Sequence, residues 1–188
     1  MIIRKLFKFR GLHIVRQCSS ERCKLSTHSH TYQVEVFLTS DKLDNGQMIY
    51  DFGLMKTTIK ELIKSFDCAW SYWNKEEVKY ETIVKKLSSR WIKMPCSPSA
   101  ESYSLMFLYI IDKILNNTKF QNNEGNVKVS SVRVHETKTG YAEAFRNDLK
   151  WVNYKLEDII FSDEIINNWS ENWWLNLKTK KLFINKLP

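Results

Sequence analysis

The chain opens on alternation. Over residues 2–16 (IIRKLFKFRGLHIVR), Ile3, Phe7 and Phe9 fall on one side of an extended backbone, which predicts a first strand, and Gly11 marks the place for a bulge. Residues 17–27 (QCSSERCKLST) are polar and predict a loop. Alternation resumes over 28–39, where His28, His30, Tyr32, Val34, Val36 and Leu38 share one face and Thr31, Gln33 and Glu35 take the other. Asp44-Asn45-Gly46 is a turn signal, and Met48-Ile49-Tyr50 begins another extended segment. The period then changes. Asp51 is placed to cap a helix whose apolar stripe is Phe52, Met55, Ile59, Leu62, Ile63 and Phe66. Residues 67–97 have no clean period; Trp70, Trp73 and Trp91 predict a loop pinned by large rings, with a helical turn through 75–88. Pro98-Ser99-Ala100-Glu101 opens a second amphipathic helix, carrying Leu105, Leu108, Ile111 and Leu115, that closes near Asn116-Asn117. A turn at Asn122-Asn123-Glu124-Gly125 leads to a strand over 127–137. Antiparallel strands with two long helices make an α+β domain over residues 1–150. Residues 151–188 carry Trp151, Trp169, Trp173 and Trp174 and have a basic end. With no glycine and only the terminal proline, they predict a helical extension docked on the domain or on a neighbouring subunit.

Composition narrows the class. A chain of 188 residues, 43% hydrophobic and 13% aromatic, is long enough to bury a core and is not disordered. No apolar run approaches the ~20 residues of a membrane span, and no secretory leader is visible, so a cytoplasmic protein without membrane contact is expected. The net charge of +8 raises nucleic acid as a partner. Its lysines and arginines are interspersed with acids, which fits a solvated basic surface or a small polyanionic substrate better, and no nucleic-acid partner is expected. Cysteines 18, 23, 68 and 96 show no Cys-x-x-Cys spacing and read as free thiols.

The chemistry concentrates in Cys23-Lys-Leu-Ser-Thr-His28-Ser-His30. On a strand, His28 and His30 stand about 7 Å apart along the backbone on one face, close enough to converge on a metal ion. A third ligand must come from elsewhere, and the remaining histidines are His13 and His135. On a regular strand His135 points away from Glu136.

Several short signatures occur in a fixed order: Phe7-x-Phe9-x-x-x-His13; Cys23 and His28-x-His30; Asn45-Gly46-x-Met48-x-x-Asp51-Phe52-x-x-Met55-Lys56; Asp67 and Asn74; Pro98-Ser-Ala-Glu101; and Val132-x-Val-x-Glu136-Thr137. Over residues 3 to about 146 this set resembles the 6-pyruvoyl-tetrahydropterin synthase family, most of all its bacterial 6-carboxytetrahydropterin synthase branch of queuosine biosynthesis. The resemblance implies a tunnelling fold (T-fold): a four-stranded antiparallel sheet with two helices on one face, assembled into an oligomeric β-barrel, a trimer or hexamer. It implies Zn2+ on His13, His28 and His30, and three ligands leave the open position that a catalytic zinc needs. It implies Cys23 as the catalytic thiol, Glu136 as the pterin anchor, and Thr137, Ser99 and Glu101 beside the pterin. The usual His-Gly-His is His28-Ser29-His30, and four residues, not three, separate Cys23 from His28. The usual Asp-His pair is Asp67-Cys68. A thiol titrates at about 8.5 and an imidazole at about 6.5, so cysteine is the poorer proton shuttle at neutral pH.

Two functions follow. The first is a zinc-dependent lyase acting on a pterin triphosphate, 7,8-dihydroneopterin triphosphate, with Cys23, Asp67, Cys68 and Glu136 in catalytic roles. Arg16, Arg22 and Lys24 are the cations nearest the loop for the triphosphate. The alternative is a zinc- and pterin-binding paralogue that lacks full synthase activity because of Cys68.

Overall fold

The computed structural model describes residues 1–182 and 184; Phe183 and residues 185–188, which include the terminal proline and part of the basic end of the tail, lie outside the described residues. Two twelve-residue strands, β1 (Ile2–His13) and β2 (His28–Thr39), form the centre of one sheet. They pair antiparallel without a break in register, from Ile2 opposite Thr39 to His13 opposite His28. The bulge expected at Gly11 is absent. Gly11 serves a close approach instead: a Cβ there would stand 3.0 Å from the Phe9 ring and 3.4 Å from the Phe66 carbonyl oxygen.

The alternation of β2 is realised as read. Tyr32, Val34, Val36 and Leu38 are buried, while Thr31 and Gln33 lie on the opposite, more open face. Helix α1 (Glu21–Leu25) interrupts the expected loop between the strands, and none of its residues is buried. The Met48-Ile49-Tyr50 segment forms no strand, although Ile49 and Tyr50 are buried. The expected helix after Asp51 is broken into a 3-10 turn (Leu54–Lys56) and α2 (Thr58–Lys64). The break is at Thr57, whose ψ of −117° leaves the helical region and whose hydroxyl donates to the Leu54 carbonyl at 2.6 Å, drawing the backbone off the helical path. Asp51 accepts from the Gly53 N–H at 2.6 Å, and Met55, Ile59, Leu62, Ile63 and Phe66 are buried. Phe52 is not; its ring is exposed, with Lys5 over it.

Residues 67–97 differ most from expectation. They form β3 (Ala69–Trp73), α3 (Val78–Leu87) and β4 (Trp91–Met94), a parallel strand–helix–strand excursion. β3 pairs parallel with β1 through Gly11 and Leu12. α3 falls within the helical turn expected at 75–88 and buries only Val84, whereas the two strands are too short for a period to show. α4 (Ala100–Asn116) starts where expected, with Ser99 accepting from the Ser102 N–H at 3.3 Å. β5 (Lys128–His135) pairs with β2, and β6 (Tyr141–Phe145) with β5.

In the tail, β7 (Ile160–Phe161) pairs antiparallel with β4, giving the seven-strand order β6-β5-β2-β1-β3-β4-β7. The sheet is therefore mixed, not wholly antiparallel. Short helices α5 (Asp163–Asn167) and α6 (Trp173–Lys178) follow; Trp169, Trp173 and Trp174 pack around one another, and Trp169 and Trp174 meet Phe161 edge-on. Trp151 is exposed. Among the described residues, no helix is long and apolar enough to cross a membrane.

Candidate active site

The β1–β2 register builds the site. It sets His13 directly opposite His28, with His30 opposite Gly11, so three imidazoles meet at one end of the buried face. Ring centroids are 4.4 Å apart for His13 and His28, 5.3 Å for His13 and His30, and 5.1 Å for His28 and His30. One nitrogen from each ring falls within 4.8 Å of the others, so the three can hold a metal ion.

The rings are oriented from behind. His13 Nδ1 lies 2.6 Å from the Pro98 carbonyl oxygen, and His28 Nδ1 lies 2.9 Å from that of Ser26. A carbonyl only accepts, so both Nδ1 atoms carry a proton, which leaves the Nε2 atoms to face a metal; the Tyr32 hydroxyl stands 3.2 Å from that of His13. Burial lowers the pKa of His13; the Pro98 hydrogen bond works against it, and the neighbouring histidines add to it. Burial likewise lowers that of His30, with Glu136 opposing. Both rings are thus held neutral, the form that ligates.

Above them opens a cavity of about 740 Å³, whose wall includes Cys18, Arg22, Cys23, His28, His30, Ser99, Glu101, Glu136 and Thr137. Cys23 comes from α1, and Ser99 and Glu101 from the start of α4. Glu136 and Thr137 sit just past β5, in the turn that leads to β6, where their N–H groups donate to the Gly140 carbonyl at 3.2 and 3.4 Å. Glu136 stands 3.7 Å from His13 Nε2 and 3.8 Å from His30 Nε2. The Tyr32 hydroxyl donates to Glu136 Oε1 at 3.3 Å. Burial first, then the charges of Tyr103 and Glu136 and the hydrogen bond to Glu136, raise the Tyr32 hydroxyl far above its ordinary value, so it remains a donor. Sequence reasoning missed Tyr32, although its place two residues after His30 on the same face was the signal.

Asp67 and Cys68 are not part of this cavity wall. They form the corner between α2 and β3, tied to β1. The Arg10 N–H donates to Asp67 Oδ1 at 2.8 Å, Lys64 Nζ donates to Oδ2 at 3.0 Å, and the Cys68 N–H donates to the Arg10 carbonyl at 2.6 Å. Burial works to raise the Asp67 carboxyl, but the bonds from Arg10 and Lys64 outweigh it and hold it below the usual carboxylate range. Cys68 is exposed, in the left-handed region at φ 54°. Cys96 is a half-buried thiol pushed up to about 11 by desolvation. His135 faces the far side of the sheet, with Nε2 2.7 Å from Glu35, whose other partners are Arg4 and Arg133. Of the cations near the loop, Arg22 lines the cavity, whereas Arg16 is bound to Glu76 and neither it nor Lys24 is part of the wall.

Comparison with known proteins gives the family. Residues 2–147 match the model of the 6-pyruvoyl tetrahydropterin synthase family. A 6-carboxy-5,6,7,8-tetrahydropterin synthase of one Helicobacter pylori strain is 45% identical over 180 residues, 94% of this chain and 90% of that protein. One from a second strain is 49% identical over 155 residues, 82% and 78% of the two chains. A solved catalytic-residue mutant of Plasmodium vivax 6-pyruvoyltetrahydropterin synthase superposes with a TM-score of 0.55 at 15% identity, over 78% of this chain and 98% of that one, which shows the shared α+β tunnelling fold. The chain therefore belongs to the 6-pyruvoyl tetrahydropterin synthase family and is a lyase-type enzyme of its 6-carboxytetrahydropterin synthase branch.

Proposed function

We propose that the chain is a zinc-dependent lyase converting 7,8-dihydroneopterin triphosphate and water to 6-carboxy-5,6,7,8-tetrahydropterin, acetaldehyde and triphosphate in queuosine (7-deazaguanine) biosynthesis. The observation that carries this reading is the convergence of three imidazoles, with Nδ1 of His13 and His28 turned to backbone carbonyls, at the base of a cavity walled by a thiol and a carboxylate. His13, His28 and His30 would hold the zinc, which when bound supplies Lewis-acid polarisation of the substrate's side-chain oxygens. Cys23 takes the proton from the adjacent side-chain carbon as general base. Glu136 accepts two parallel hydrogen bonds, from the pterin amino group and ring N–H, and Tyr32 fixes the carboxylate that does so. Thr137, Ser99 and Glu101 line the pterin's side of the cavity, and Arg22 faces the triphosphate.

On this reading the protein works as a homo-oligomer, a trimer or hexamer, in the cytoplasm. Residues 1–150 are the synthase domain and 151–188 an extension docked on it. The Asp67–Cys68 corner, exposed and outside its own cavity, would serve the cavity of a neighbouring copy. Position 68 also supports the second reading, a zinc- and pterin-binding paralogue without full activity, because a thiol replaces the proton-transferring imidazole there.

Mass spectrometry of the products from zinc-loaded protein and 7,8-dihydroneopterin triphosphate tests both. The lyase reading expects 6-carboxytetrahydropterin from the natural chain and none from Cys23→Ala. No product from the natural chain, with turnover appearing in Cys68→His, would replace it by the second reading.

A further inference from the structure

Arg16 lies three residues beyond β1 and points away from the cavity. Its Nε donates to both carboxylate oxygens of Glu76 at 3.2 Å, its Nη1 donates to the Lys24 carbonyl at 3.0 Å, and its guanidinium lies over the Tyr80 ring at 5.3 Å. Only 6% of the Glu76 side chain is exposed, and a carboxylate at that depth needs its cation. Tyr80 is itself fixed, accepting from Trp70 Nε1 at 3.1 Å and standing 3.4 Å from the Thr27 hydroxyl. Every one of these partners belongs either to the strand–helix–strand excursion at 69–94 or to the loop that carries Cys23.

That loop has little else to hold it. α1 is five residues long and buries none of them, and the other backbone tie from Cys23 to β1's extension is a long one, 3.4 Å from the Val15 N–H to the Cys23 carbonyl. The Lys24 carbonyl that Arg16 grips is one peptide away from Cys23. We propose that Arg16, fixed by Glu76 and Tyr80, is a positioning residue that sets where the Cys23 thiol stands over the three histidines, and that the excursion at 69–94 thereby forms the outer brace of the active site. This rests on the lyase reading, in which Cys23 moves the proton.

The clamp and a triphosphate-binding Arg16 predict different kinetics. Glu76→Gln removes the charge that fixes the guanidinium, and Arg16→Lys removes its fork. In zinc-loaded protein each is expected to lower kcat about 10- to 100-fold, the cost of a small misplacement of a reacting group, with KM and bound zinc unchanged. Without substrate, each is expected to raise the rate of Cys23 alkylation by iodoacetamide, followed by peptide mass spectrometry. Glu77→Gln, the exposed carboxylate next door, changes none of these. A raised KM in Arg16→Lys with kcat and alkylation unchanged would overturn the proposal and give Arg16 to the triphosphate. An unchanged alkylation rate in both variants would overturn it as well. Alkylation needs no turnover, so a natural chain that makes no product would sink the lyase reading while the clamp is still decided.

Discussion

At the scale of single residues, His13 is the decisive position. It is fully buried, faces His28 across the strand pair, and is held from behind by Pro98. Burial favours the neutral ring, as a metal requires, at a cost in acid. In the metal-free protein the unfolded histidines take up protons at about pH 6.5, whereas native His13 and His30 do so only lower. Their contribution to stability is therefore complete above about pH 6.5 and is lost as the pH falls through the lowered native values. Urea midpoints measured down that range on metal-free protein should decline, and His13→Gln should flatten the decline; a slope in His13→Gln and His30→Gln equal to that of the natural chain would assign it to other groups. The sequence showed the His28–His30 pair through strand period alone. It did not show by spacing which of His13 and His135 completes the set; the family resemblance selected His13, and the fold turns His135 to the opposite face.

At the scale of elements, legibility followed length. β2 and α4 were readable because twelve and seventeen residues let a period repeat and because Ser99 marks a start. Ser99→Ala removes the acceptor for the Ser102 N–H, and chemical denaturation should register a loss of about 1 kcal/mol. A loss near zero would mean that water or Ser102 itself satisfies that end. β3 and β4, at five and four residues, gave no such repetition, and their identity as strands comes from neighbours: β1 on one side and β7 on the other. The helix after Asp51 looked continuous because its stripe is continuous. A hydroxyl competing for the Leu54 carbonyl at Thr57 leaves no mark in hydrophobic pattern.

For the whole molecule, the tail is part of the core. Trp173 and Trp174 are buried, and Phe161 packs on both Phe66 of the α2 end and Trp174 of the tail. Trp169 donates to the Ser65 hydroxyl at 2.9 Å, and Glu164 pairs with Arg90, which also donates to the Asp67 carbonyl at 3.0 Å. Emptying the Trp173 site should therefore cost about 3–5 kcal/mol in Trp173→Ala. Calorimetry would show the loss, and uptake of added zinc, proposed for the histidines at the end of the β1–β2 pair, should not change. A loss below about 1 kcal/mol would mean that the tail rides on the domain without stabilising it.

What the sequence determined by itself was local and periodic: the two long strands, the capped long helix, the shared face of His28 and His30, and the ordered signatures that mark the family. These depend on residues a few positions apart, and such spacings are written directly in the chain. What only the tertiary structure decided was long-range: the register that sets His13 against His28, the carbonyl of Pro98 behind His13, Tyr32 on Glu136, the diversion of Arg16 to Glu76, and the placing of Cys68 outside its own cavity. Each joins segments tens of residues apart, and the chain's packing, not its pattern, chooses among the partners that such segments could meet.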